Sequence, residues 1–169
     1  NLTNILSETV AENMKEYLRM YKMVNDFVEI KSGKIINVAF KITVYVDKTY
    51  DKAEVVQRII NKVYDYMDIR RHQMGEDIYL GDLQKEITKL DGVIQFVSMI
   101  CENKYNDGYS EDITMQETIG SNDPCFSDNE ETIDERRKII DLNASDYILF
   151  SEANSMHEIK NKNKDIIVI

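Results

Sequence analysis

Residues 33–46 read GKIINVAFKITVYV, and their spacing decides the fold. Ile36, Val38, Phe40, Ile42, Val44 and Val46 share one parity while Asn37, Lys41 and Thr43 fall on the other. That period of two is the mark of a strand with one buried face. The turn DKTYDK follows at 47–52, and Asp51 with Glu54 three places later resembles a capping box, in which carboxylates satisfy the first free N–H groups of a helix. Val56, Ile59, Ile60, Val63 and Met67 then form one helical stripe, expected to cover the apolar face of the strand.

Outward from this pair the same logic places the other elements. Residues 68–76 are polar and read as a loop, 77–80 as a short strand, and 81–90 as a second helix with Leu83, Ile87 and Leu90 inward. Asp91-Gly92 supplies the left-handed stop that often follows a helix. Residues 93–101 are apolar with little alternation, which predicts a central strand covered on both faces. On the N-terminal side, Ile5, Leu6, Val10, Met14, Tyr17, Leu18 and Tyr21 recur at helical spacing, so residues 1–22 form a leading amphipathic helix or arm; residues 27–30 are expected to be a short strand. Residues 106–146 read as an acidic loop insertion containing the single proline, with a possible short helix at 132–142. Residues 147–150, 156–160 and 165–169 look like terminal strands. The fold class is therefore α+β: a small mixed sheet with two packed helices in the order strand, helix, short strand, helix, strand, a leading N-terminal helix and short C-terminal strands. The core occupies 23–105 and the closing strands 147–169.

The totals bound what such a domain does. With 169 residues one domain can bury a sizeable core, and the opening at Asn1 without a methionine reads as a piece of something longer. A formal net charge of -10 argues against a phosphate-tracking surface. Basic clusters are confined to Arg70-Arg71 and Arg136-Arg137-Lys138, each flanked by acid, so no direct nucleic-acid partner is expected. No apolar run approaches the ~20 residues that span a bilayer, so no membrane partner is expected either.

Candidate chemistry is sparse. Cys101 ends an apolar run and Cys125 lies in a polar loop; neither has a CxxC partner, which leaves a zinc ion without ligands. His72 and His157 are read as surface residues, and no nucleophile turn nominates a Ser-His-Asp or Cys-His site. The acidic stretches miss the spacing of a calcium loop, and neither a P-loop nor GxGxxG is present. No catalytic, cofactor-binding or metal residue is nominated, and no cofactor is expected. Two glycosylation sequons, at Asn1 and Asn143, are discounted because nothing indicates secretion. Ten tyrosines are many for this length; about two thirds are expected in ordinary half-buried packing and the rest at interfaces.

Several of these stretches carry a resemblance. IINVAFKITV at 35–44, DKTYDK before the helix, DYMDI closing it, then GEDIYLGDL and LDGV before the next strand occur together between Tyr17 and Val97. In the tail, SMHEIKNKNKDI at 155–166 is similar to a closing segment of the form SMFEIKNPNKDI. Together they resemble the C-terminal domain of the baseplate wedge protein of contractile-tailed phages, the baseplate J-like family. Departures are Met67 where an aromatic is common, Gly81 where serine often caps the helix, and the acidic insertion.

The resemblance implies a non-enzymatic structural subunit of the virion tail baseplate, assembled in the host cytoplasm. It implies a homo-oligomer, a dimer within a wedge and a ring in the baseplate, joined to other wedge and hub proteins and rearranging on sheath contraction. A wedge subunit of a phage-derived contractile injection system or bacteriocin is the nearest alternative. An acidic metal-binding module is the alternative from another class.

Overall fold

The strand expected at 33–46 forms as β1 (Lys34–Val46) and takes hydrogen-bonded partners on both edges. The computed structural model describes residues 6–23, 25–106, 108–114, 116 and 139–169. Along them run α1 (Glu8–Arg19), β1, α2 (Lys52–Tyr66), β2 (Ile78–Tyr79), α3 (Leu80–Thr88), β3 (Val93–Lys104), β4 (Ile139–Ile140), β5 (Ile148–Leu149), β6 (Ser155–Glu158), α4 (Lys162–Asp165) and β7 (Ile166–Val168). The fold is α+β with a mixed sheet.

On one edge β1 pairs antiparallel with β3, from Asn37 opposite Lys104 to Val46 opposite Val93, with irregularities at Thr43/Val44 and Tyr45/Val46. On the other edge the chain's last strands add in parallel: β6 alongside Lys34 to Asn37, then β7 alongside Phe40 to Ile42. The short α4 carries the chain from one to the other. β4 extends the sheet beyond β3, and β2 with β5 makes a separate two-stranded ribbon.

The inner face of the sheet packs on α2 and α3. Ile36, Val38, Phe40 and Ile42 are at most 1% exposed and share one core with Val55, Ile59 and Val63 of α2, Leu83 and Ile87 of α3, and Met99 and Cys101 of β3. Asp51 caps α2 as its position requires, its Oδ1 accepting from Ala53 N at 3.0 Å. Glu54 does not complete the box; its carboxylate accepts from Arg58 at 2.6 Å one turn along. The buried stripe of α2 is Val55, Ile59 and Val63, continued by Met67 at the C-cap, so Val55 rather than Val56 leads it. At the turn into β3, Gly92 has φ +91, and a Cβ there would stand 2.6 Å from Val55 Cγ2. Both observations account for glycine at this point.

Four expectations need correction. First, residues 27–30 form no strand, and Phe27 is 99% exposed. The edge of β1 that such a strand would occupy is taken by β6 and β7. Second, β3 is not covered on both faces: Ile94, Val97 and Ile100 are exposed. The centre of the sheet belongs to β1 instead. Third, β1 is not one-faced along its whole length. Ile35, Asn37 and Ala39, on the outer parity, are also buried, and residues 108–112 form a strap that bonds to the first two. Ser110 N donates to Asn37 Oδ1 at 2.8 Å and Ile35 N donates to Asp112 Oδ2 at 3.0 Å. Fourth, within the helix expected at 132–142, residues 132–138 lie outside the described residues, and Ile139–Ile140 pair with β3 as β4. The proline loop and the remainder of the acidic insertion from 117 to 138 also lie outside them.

Candidate functional site

The two histidines do not sit as surface residues. His157 is 2% exposed on β6, where its register partner is Ile36, and His72 is half-buried in the loop between α2 and β2. Each is held by one ring nitrogen. His157 Nδ1 lies 3.1 Å from Ser151 Oγ, and His72 Nε2 lies 2.8 Å from the Tyr66 carbonyl. The Ser151 hydroxyl is itself 2.7 Å from the Glu76 carbonyl, and Ser151 N donates to Asp77 Oδ1 at 2.8 Å.

Serine, histidine and aspartate thus meet from two separate stretches, but their hydrogen bonds run the wrong way for a nucleophile. A carbonyl can only accept, so the Ser151 hydroxyl donates to Glu76 and accepts from His157 Nδ1–H. Asp77 is bonded to backbone rather than to the imidazole. A relay needs the hydroxyl proton aimed at the ring and the carboxylate behind it. The arrangement instead fastens the 151–157 turn to the 72–77 loop. Burial pushes His157 down to about 4, with the neighbouring His72 acting the same way and Asp77 opposing. The ring is therefore neutral at pH 7, and among the described residues its buried Nε2 meets no partner, nor does His72 Nδ1. No local pattern in the sequence announces this cluster.

Cys101 is buried, and that burial pushes its thiol well above the ordinary range. Cys125 lies outside the described residues. Arg70 and Arg71 are spent on carboxylates, at 2.8 Å from Asp68 and from Asp65. Among the described residues no group of three His, Cys, Asp or Glu side chains is placed to hold a metal ion, and no helix is long and apolar enough to cross a membrane.

What the described surface does offer is apolar area. α1 has no buried residue at all; its stripe of Val10, Met14 and Tyr17 is exposed, as is Tyr21 in the turn that follows. The second area is the outer face of the sheet beyond the 108–112 strap. There Ile167 of β7, Lys41 of β1 and Ile100 of β3 form one row across the strands. Ile169 joins the next row by donating N–H to the Ile42 carbonyl at 2.9 Å, and Tyr45 pairs with Gln95 above it. Tyr45, Ile94, Ile167 and Ile169 each expose more than half their surface. Six of the ten tyrosines, including Tyr17, Tyr21 and Tyr45, are exposed, which reverses the expectation that most are half-buried. No protein-family model matches the chain, and no curated protein matches it.

Proposed function

We propose that the chain is an assembly subunit, a structural part of the baseplate wedge of a contractile phage tail. The observation that carries the assembly role is the pairing of two extended apolar surfaces, the α1 stripe and the open sheet face, on a chain whose histidines are turned inward. Exposed apolar area of this extent on a soluble domain marks a place where another surface belongs. The baseplate assignment comes from the motifs. IINVAFKITV and SMHEIKNKNKDI, the two stretches that carry the resemblance, lie hydrogen-bonded side by side as β1 with β6 and β7. A resemblance split between two remote blocks is more coherent when both build one structural unit. Contacts within a ring of like subunits and with other wedge and hub proteins follow from this reading. Mass spectrometry and imaging of purified particles test it: the chain should be found at the baseplate in stoichiometric amount, and its absence from particles refutes the reading.

A further inference from the structure

We propose that a second copy of the chain covers the open sheet face, with α1 of each copy lying across the Lys41-to-Tyr45 half of its partner's sheet. The two surfaces match in size. Twelve helical residues make a rod of ~18 Å, and a helix with its side chains is ~10–12 Å across. The bare half of the face is three strands wide, β7, β1 and β3, or ~10 Å between the outer strands at about 4.8 Å per step. They also match in kind. Val10, Met14 and Tyr17 follow one another at i, i+4 and i+7 along α1, and Tyr21 keeps the same spacing in the turn after it, an uncharged stripe. The face opposite offers Tyr45, Ile100, Ile167 and Ile169, with Ile94 and Val97 exposed at the two irregularities of β3 beside it, and Lys41, Thr43, Gln95 and Ser98 between them.

A partner copy fits better than the chain's own helix. α1 starts beside the far end of β1, where Leu6 N donates to Ser32 Oγ at 3.4 Å. The bare half begins at Lys41, ~23 Å further along the strand from Lys34 at about 3.3 Å per residue. In a two-fold dimer each helix meets the other sheet and the two contacts are equivalent. Covering ten side chains of this size would remove on the order of 1,000 Å² per copy, at or above the ~800 Å² of a standard interface. The inference rests on the assembly reading and deepens it by naming the two surfaces through which like copies meet.

Sedimentation of the full chain across concentration tests it, together with Tyr17→Asp on the helix and Ile167→Asp on the sheet; Tyr45→Lys is a second sheet variant should Ile167→Asp disturb β7. The chain should sediment as a dimer at micromolar concentration. Each variant should weaken the dimer at least tenfold while keeping its circular dichroism. Mixing the helix variant with the sheet variant should restore a dimer, because one intact helix still meets one intact face. A monomeric wild-type chain overturns the inference. So does a mixture that stays monomeric, which would mean that like surfaces pair with like. A monomer that is found in phage particles refutes this docking alone, and a dimer absent from particles refutes the baseplate reading alone.

Discussion

Replacing His157 by glutamine should remove a specific pH dependence from the stability of the fold. The ring sits in the core with its pKa lowered to about 4 from the ordinary 6.5, burial being the first cause. The unfolded chain therefore takes up the proton before the folded one does, and stability falls as pH drops. The contribution is complete above about pH 6.5, is lost progressively below it, and stops changing near pH 4, where the folded ring also protonates. At ~1.4 kcal/mol per unit of displacement, roughly 2 kcal/mol should be lost between pH 7 and 5. For a domain of this length that lowers the melting temperature by ~4–8 °C. Urea unfolding at half-unit steps over that interval measures it directly. Asp68, held down to about 2 by Arg70, and Glu86, held below its usual range by Lys62, act only at lower pH and leave this window clear. Wild-type stability that is flat from pH 7 to 5, or a slope that survives in His157→Gln, would refute the account of the buried ring.

Four further outcomes are expected. Phe40→Ala should cost ~3–5 kcal/mol, because the ring is 1% exposed between β1 and the helices. Lys41→Ala, next to it on the exposed parity, should stay within ~0.5 kcal/mol in the same urea titration. Gly92→Ala should lower stability by more than ~1 kcal/mol, since φ +91 strains any side chain and its Cβ would meet Val55 Cγ2 at 2.6 Å; a neutral effect by thermal melting would contradict the geometry. Finally, Cys101 should resist iodoacetamide in the native chain at pH 8 and label only in denaturant, because burial holds it as the thiol. Peptide mass mapping reads the result.

Elements whose signal is local were legible in the residues themselves. The alternation of Ile36, Val38, Phe40 and Ile42 gave β1 and its inner face; Asp51 and the spacing of Ile59 and Val63 gave α2; the terminal apolar runs gave β5, β6 and β7. What failed depends on partners remote in sequence. Whether Asn37 is buried is decided by Ser110, and nothing in 33–46 records that residues 108–112 will cross there. The apolar run of β3 says that Ile94 and Ile100 avoid water but not whether the cover comes from this chain. That ambiguity turned an open face into an expected buried one. The histidine cluster was invisible for the same reason, since Glu76, Asp77 and His72 come from a stretch remote from Ser151 and His157.

The central place of β1 also has a consequence during synthesis. Its β3 edge can close soon after the strand is made, but the opposite edge waits for residues 155–168, more than a hundred positions later. At ~5–20 residues per second this leaves an unpaired, apolar strand edge exposed for on the order of 5–20 s on every nascent chain. Such an edge is a template for pairing with a neighbour on the same message. Until its own last strands arrive, that edge of β1 is open to whatever strand reaches it first.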